Sequence, residues 1–205
     1  MYTPDYYKNT NIAEIKAFII QNSFGILINQ VNVKPWATHI PLELETDPNG
    51  NDILVGHIAR ANPQGQNFKD NTTVLCIFNG PHSYISSSWY KEEEVPTWNY
   101  IAVHVYGRLA ISSEEEVMDS MHKLVDKYEK NSKNPISLKD MSKKTLKQVK
   151  GVIGFKIYID EIQATHKLSQ TRPEDHAKII SELEETKNIN ACEIARAMKK
   201  NSKLL

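Results

Sequence analysis

The chain has 205 residues, of which 40% are apolar and 24% are charged, as is ordinary for one globular domain with a helical appendage. Its 25 basic and 25 acidic side chains cancel, so binding to nucleic acid or to an anionic membrane would need a local patch of charge. Two cysteines make no disulfide scaffold, and no apolar run approaches the roughly 20 residues of a membrane helix. We therefore expect a cytoplasmic protein that does not bind membranes.

The N-terminal part of the chain predicts one helix followed by four strands. Asn11 and Glu14 have the spacing of a capping box, which predicts a helix beginning near Asn11. FGILINQ and KPWATHIPLELE have strand character, with residues 29–34 as their connection. The turn sequence DPNGN predicts a hairpin into the strand DILVGHIAR, because Asn-Gly tolerates positive φ. A polar loop with one helical turn then leads to the strand TTVLCIFNG.

Residues 79–107 are unusually rich in aromatic side chains for a connection between two strands. Residues 79–100 of this stretch contain five large rings and three consecutive hydroxyls, at Tyr84, Ser86, Ser87, Ser88, Trp89, Tyr90, Trp98 and Tyr100. Rings provide stacking area and hydroxyls provide directed hydrogen bonds, so this pattern is typical of a loop that binds a flat ligand. The alternative is a packed loop that covers one end of a barrel.

The C-terminal part predicts two further strands and three helices. After Trp98 the apolar residues alternate with polar ones, as in a half-buried strand. Ser113 with Glu116 predicts a capped helix, and GVIGFKIYIDEIQATHKLS returns to strand. A helix is predicted to start at Arg172-Pro173, and a last one near Asn190.

Six strands, mostly in hairpin order, predict a protein that is mainly β with peripheral helices, built as a small antiparallel barrel. We expect the barrel domain to span residues 1–170 and a C-terminal helical extension to span residues 171–205.

The sequence contains no glycine-rich phosphate loop, so a phosphorylated ligand would need side chains such as Arg60, Lys167 and Arg172. Each of these could instead form a surface salt bridge. The seven histidines lack metal-ligand spacing, and no nucleophile elbow or acid-base pair is visible. We therefore predict no metal and no catalytic residue, and leave open whether the protein is an enzyme.

Four lysines follow the second long helix at a spacing that would place them on one helix face. They are Lys139, Lys143, Lys147 and Lys150. Such a stripe could contact the phosphate backbone of DNA. A solvated helix face is the alternative.

Five segments together resemble the PaiB family, in the family's order and nearly end to end. They are THIPL (38–42), HIARANPQ (57–64), FNGPHSYISSSWY (78–90), VPTWNYIAVHVYG (95–107) and KLSQTR (167–172). Members of this family are FMN-binding split-barrel proteins described as negative transcriptional regulators in bacteria.

The resemblance implies an antiparallel split β-barrel that forms a homodimer with FMN at the subunit interface. The positions that would contact the flavin are His57, Ala59, Arg60, Asn62, Tyr84, Ser86, Trp89, Thr97, Trp98, Asn99, Lys167, Gln170 and Arg172. The last three would close the site from the partner subunit. The chain departs from the family's common residues at Gly65, Ser87 and Thr171, where tryptophan, proline and asparagine are usual.

Two functions follow from the resemblance. The first is a repressor of sporulation and degradative-enzyme genes, acting on DNA directly or through a partner. The second is an FMN-dependent oxidoreductase that uses NAD(P)H, in which the flavin supplies the chemistry. A third, weaker reading comes from related split barrels that bind haem through a histidine.

Overall fold

The computed structural model describes residues 1–201. Six strands are present: β1 Phe24–Val31, β2 Lys34–Thr46, β3 Asp52–Ala59, β4 Thr72–Ile85, β5 Thr97–Ile111 and β6 Val152–Lys167. The α-helices are α1 Ile12–Gln21, α2 Pro63–Gln66, α3 Glu114–Glu129, α4 Lys143–Leu146, α5 His176–Glu185 and α6 Ile189–Asn201.

The strands close into an antiparallel barrel in the order β1-β2-β3-β6-β5-β4. Strand β1 pairs with β2 through Phe24 and Pro41, and β3 pairs with β6 through Ile53 and Tyr158. The predicted antiparallel barrel with peripheral helices is therefore confirmed. Short turns connect β1 to β2 and β2 to β3, whereas the long segment containing α3 and α4 connects β5 to β6, which lies between β3 and β5.

The chain divides into two compact units, each described separately below. The first unit comprises Met1–Phe18, Phe78–His104 and the chain from Gln163 onward, and the second comprises Ile19–Ile77 and Val105–Ile162. The predicted C-terminal extension contains α5 and α6. Its last residues, 202–205, lie outside the described chain.

Each unit has its own set of fully buried apolar side chains. In the first unit they include Phe78, Ile85, Leu168, Ile179 and Leu183. In the second unit they include Leu27, Leu42, Leu54, Phe155 and Ile157. The predicted alternation along β5 is present, because Val103, Val105 and Leu109 are buried while Arg108 is exposed.

Side-chain caps mark the starts of α1, α3 and α6. Asn11 Oδ1 accepts a hydrogen bond from the Glu14 amide at 3.2 Å, and Ser113 with Glu116 forms the predicted capping box of α3. Helix α6 begins slightly earlier than expected. Its capping side chain is Asn188, whose Oδ1 accepts a hydrogen bond from the Ala191 amide at 3.2 Å. Asn190 therefore lies inside the helix.

The β1–β2 connection is shorter than predicted. It contains only Asn32 and Val33, which both have positive φ, 51° and 67°. This geometry is that of a two-residue hairpin turn, whose twist matches the flanking strands. Residues 29–31 remain in β1 because their backbone pairs with β2.

The connection inside the aromatic stretch is shorter than predicted, because both flanking strands extend further into it than expected. Strand β4 continues through Pro81 to Ile85, and β5 begins at Thr97, so the connection is only residues 86–96. Proline is compatible with a strand where its missing N–H is not required by the ladder. Tyr84, Trp98 and Tyr100 therefore lie on regular backbone, where their directions are fixed.

The lysine-rich segment is not one helix, so its lysines do not share the predicted helix face. A 3-10 turn at Leu138–Asp140 is followed by α4 and then by a second 3-10 helix at Lys147–Gly151. Ser137 and Ser142 each accept a hydrogen bond from an amide two or three residues ahead, 3.4 Å from Lys139 and 3.2 Å from Thr145. Each serine thus starts a new short element.

Candidate functional site

The site residues expected from the sequence fall into both units. His57, Ala59, Arg60 and Asn62 belong to the second unit, and the other nine belong to the first.

Lys167 is the central cation of the first unit. It is the last residue of β6, and its Nζ donates to Thr97 Oγ1, 2.5 Å away, at the start of β5. The same Nζ lies 5.7 Å from the centroid of the Tyr7 ring. Burial lowers the pKa of Lys167. A partly desolvated ammonium held by a hydroxyl is suited to an anionic group such as a phosphate.

Three aromatic side chains form an exposed cluster on β4 and β5. The Trp98 ring is 6.1 Å from Tyr84 at an interplanar angle of 71° and 5.9 Å from His82. Trp98 and Tyr84 are 53% and 46% exposed. Because these rings are not buried in the core, they provide surface for a flat ligand or for another protein.

The connection 86–96 is held by side chains that follow β6. Arg172 forms an ion pair with Glu94, and the Lys91 amide donates to Asp175 Oδ1 at 3.0 Å. Ser86 Oγ accepts from the Ser88 amide at 3.3 Å and thereby caps the 3-10 turn that contains Trp89. Arg172 thus forms a salt bridge with a carboxylate of its own unit, which was the alternative to a ligand contact for this residue.

Asn99 and Gln170 are supporting residues in this structure. The Asn99 side chain is fully buried, and its Nδ2 donates to Ser169 Oγ at 2.9 Å. Gln170 Nε2 donates to the His166 carbonyl, and its Oε1 accepts from the Leu168 amide at 2.7 Å. Both side chains therefore shape the turn that follows Lys167.

In the second unit, the guanidinium of Arg60 donates hydrogen bonds to backbone carbonyl groups. Its Nε donates to the Lys150 carbonyl at 3.1 Å, and its Nη2 donates to the Val152 carbonyl at 3.0 Å. Ala59, the last residue of β3, is exposed beside it. The guanidinium is therefore already bonded to protein carbonyls, which neutralise none of its charge.

His57 and Asn62 have defined roles in the same unit. His57 pairs with Gly154 in the β3–β6 ladder, and burial lowers the pKa of its imidazole. Asn62 Oδ1 caps α2 by accepting from the Gln64 amide at 2.9 Å, while its Nδ2 donates to Thr38 Oγ1 at 3.2 Å.

A buried polar network that the sequence reasoning missed lies beneath α2. Gln64 is fully buried, and its Nε2 donates to the Leu27 carbonyl at 3.1 Å and to Asn29 Oδ1 at 3.0 Å. Thr38 Oγ1 donates to Gln64 Oε1. Thr38 and Gln64 both stand in segments that carry the family resemblance, which was the available signal. Among residues 1–201, Asn29 Nδ2 is buried without a hydrogen-bond partner.

Two further residues of the first unit also escaped the sequence reasoning. Burial raises the pKa of Tyr7, which is hydrogen-bonded through its side chain to Thr171. Ser169 has a φ of 58°. A positive φ at a serine leaves no trace in the sequence, so this turn could not be foreseen.

Residues 1–201 lack two features, a cluster of metal-ligating side chains and a helix that could span a membrane. This part of the chain contains no cluster of three or more His, Cys, Asp or Glu side chains suited to a metal ion. It also contains no helix of the length and apolarity needed to cross a membrane.

The first unit holds side chains of the kinds that bind FMN at two places, namely Lys167 with Thr97 and Trp98 with Tyr84. Lys167 is a partly buried cation for a phosphate, and Trp98 with Tyr84 offers exposed ring faces for a planar heterocycle. Ser86 and Thr97 add hydroxyls that can donate hydrogen bonds. These are the side-chain types that a flavin with a phosphate tail requires.

The chain matches a family model described as "Putative FMN-binding domain" over residues 1–161. It is 43% identical over 200 residues to the "Protease synthase and sporulation protein PAI 2" of Bacillus subtilis (strain 168). The matched region covers 97% of this chain and 96% of that protein.

Solved structures with the same fold include two flavoproteins. The FAD and heme binding protein from Mycobacterium smegmatis has a TM-score of 0.62 at 10% identity, covering 78% of this chain and 73% of that one. The flavocytochrome Anf3 from Azotobacter vinelandii has a TM-score of 0.60 at 14% identity, covering 80% and 72%. These likenesses confirm the split-barrel fold.

The family model confirms FMN as the cofactor that the sequence indicated. Since the model spans more than three quarters of the chain and the Bacillus relative matches nearly end to end, this chain belongs to the PaiB family of FMN-binding split-barrel proteins.

Proposed function

We propose that this protein is an FMN-binding transcriptional repressor of the PaiB type, active as a homodimer that holds the flavin at the subunit interface. The relative from Bacillus subtilis is named a protease synthase and sporulation protein, and genes of that kind are the proposed targets. In this proposal Lys167 and Thr97 hold the phosphate, and Trp98 and Tyr84 contact the ring system. Asn99 and Gln170 position the turn that carries Lys167.

The charge pattern of the lysine-rich segment carries the DNA-binding part of the proposal. Within residues 1–201, the ammonium groups of Lys139, Lys143, Lys147 and Lys150 form no ion pair, and all four side chains are exposed. By contrast, Lys199 and Lys200 of α6 pair with Glu184 and Glu14. The segment is therefore a local surplus of positive charge on a neutral protein, as binding to a phosphate backbone requires.

A gel shift with DNA from upstream of the protein's own gene tests this role. Replacing Lys139, Lys143, Lys147 and Lys150 together by alanine should weaken binding and reduce the slope of log K against log salt by up to about 3 to 4. The matched control is Lys199→Ala with Lys200→Ala, which removes paired lysines and should leave the slope unchanged. If the unmodified protein binds no DNA at low salt, with or without FMN, direct repression is contradicted.

The second candidate function is an FMN-dependent oxidoreductase. The observation that favours it is the exposure of Trp98 and Tyr84, since rings left open to solvent beside the proposed flavin leave room for a second planar group such as nicotinamide. The flavin would supply the redox chemistry. Anaerobic addition of NADPH or NADH to the holoprotein distinguishes the two functions. Rapid bleaching of the flavin bands supports the oxidoreductase, and an unchanged spectrum supports the repressor.

A further inference from the structure

A concave site lies within the second unit, beside the lysine-rich segment. It is a pocket of about 510 Å³ formed by α2, the start of α3, the chain at 146–150 and the first residues of β6. Pockets that bind small molecules commonly measure roughly 300–1,000 Å³. The pocket is therefore large enough for a small organic ligand.

The walls of the pocket are mostly apolar. Its lining includes Phe68, Val117, Met118, Leu146, Val149 and Ile153. Phe68 and Val117 are buried at 7% exposure each, whereas Met118, Leu146 and Val149 remain partly exposed. Partly exposed apolar side chains on facing elements gain free energy when an apolar molecule covers them.

The charged groups of the pocket carry a net charge of plus one. Arg60 and Lys150 are its cations and Glu114 is its acid. The guanidinium of Arg60 bonds the carbonyls of Lys150 and Val152, which fixes the backbone that carries Lys150 at this position. Among residues 1–201, the Lys150 ammonium has neither an ion pair nor a hydrogen bond to protein.

We infer that this pocket binds a small amphipathic organic anion, with its apolar body against Phe68, Met118 and Val149 and its anionic group at Lys150. The pocket differs from the flavin site proposed above, because Arg60 alone among the thirteen expected flavin contacts lines it. Leu146, Val149 and Lys150 belong to the segment proposed to contact DNA. A ligand bound here would therefore touch that segment directly.

Calorimetric titration of the FMN-loaded protein with decanoate, below its micelle concentration, tests the inference. We expect saturable binding with one site per chain, and binding of decylammonium at least tenfold weaker. Lys150→Ala should weaken decanoate binding at least fivefold, because the charge partner is lost. Lys143→Ala, an equally exposed lysine outside the lining, should leave it unchanged.

Two substitutions in the lining locate the ligand. Val149→Trp fills the pocket and should weaken binding at least tenfold, and Glu114→Gln removes the repelling acid and should leave binding unchanged or tighten it. Thermal melting checks that Val149→Trp folds, and Lys150→Ala, which shortens an exposed side chain of the lining, tests the charge contact without filling the pocket.

The inference is overturned by any of three results. One is the absence of decanoate binding at millimolar concentration. Another is binding that Lys150→Ala and Val149→Trp leave unaltered. The third is competition between decanoate and FMN, which would make the pocket part of the flavin site. Decanoate binding needs neither DNA nor dimerisation, so its failure leaves the proposed repressor function untouched.

Discussion

At the scale of single residues, burial sets the chemical character of the candidate site. The ammonium of Lys167 keeps one hydroxyl partner and one aromatic neighbour while burial lowers its pKa. A cation with so little solvation gains more from an anionic ligand than a surface lysine does, because less water must be removed on binding. This difference separates Lys167 from the solvated lysines of the 139–150 segment.

Replacing Asn99 by alanine should lower both stability and flavin affinity. The buried Asn99 side chain exchanges hydrogen bonds with Ser169 Oγ at 2.9 and 3.2 Å. Removing it leaves Ser169 with an unsatisfied hydroxyl next to the turn of Lys167. We expect a loss of about 1–3 kcal/mol in the free energy of unfolding, measured in urea. Asn190→Ala, at an exposed position of α6, is the control. Equal stability of the two variants would contradict a supporting role for Asn99.

Histidine burial predicts that acid destabilises the protein. Burial lowers the pKa of His166 below its ordinary value of 6.5, with smaller contributions from Glu14, which raises it, and Lys200, which lowers it. The unfolded chain therefore binds a proton at higher pH than the folded one. The stability that this group contributes is complete above pH 6.5 and is lost as the pH falls toward the folded pKa. His57 and His104 shift in the same direction, also through burial.

Between pH 7.5 and pH 5, the free energy of unfolding should consequently decrease as the pH is lowered. The decrease should be less steep in His166→Gln than in the unmodified protein. Identical slopes in the two proteins would show that His166 does not contribute.

At the scale of elements, short side-chain caps decide where helices begin. The capping box of α3 joins Ser113 to Glu116 through hydrogen bonds of 3.3 Å and 2.8 Å. Glu116 also bonds Lys156 of β6 at 2.5 Å, and this hydrogen bond is the main cause of the lowered pKa of its carboxyl. The cap thus fixes the end of α3 that borders the pocket beside the lysine-rich segment.

Ser113→Ala should reduce the free energy of unfolding by about 1 kcal/mol, because the Glu116 amide loses its acceptor. Denaturant unfolding measures the change. The matched control is Ser181→Ala, in the interior of α5 with an exposed side chain, where alanine should be neutral or slightly stabilising. A cap with no measurable effect would mean that packing alone holds the start of α3.

At the scale of the whole molecule, the proposed homodimer depends on surface that one chain leaves uncovered. Trp98 is 53% exposed and lies beside Tyr84 and His82 on regular strands. Rigid aromatic surface of this kind is typical of protein–protein interfaces and of pockets completed by a second copy.

Trp98→Asp should convert the proposed dimer to monomer and abolish flavin retention, because a charge replaces apolar contact surface. Light scattering after gel filtration gives the mass, and the absorbance of the purified protein near 450 nm reports the flavin. Val33→Asp changes an 87% exposed residue in the β1–β2 turn and should alter neither. A wild-type protein that is monomeric yet retains FMN would refute a site shared between subunits.

The sequence alone determined part of the local structure and the family. Short-range patterns could be recognised without a structure. They include the alternation along β5, the caps at Asn11 and Ser113, and the turn around Gly50. The five segments that resemble the PaiB family indicated the split-barrel fold and FMN as the cofactor.

Only the tertiary structure decided which side chains remain available to a ligand. It directs Asn99 to Ser169, Arg60 to the carbonyls of Lys150 and Val152, and Arg172 to Glu94. It also extends β4 and β5 into the aromatic stretch. These outcomes depend on partners far apart in the chain, whose proximity is set by strand pairing and packing, and no local pattern records them.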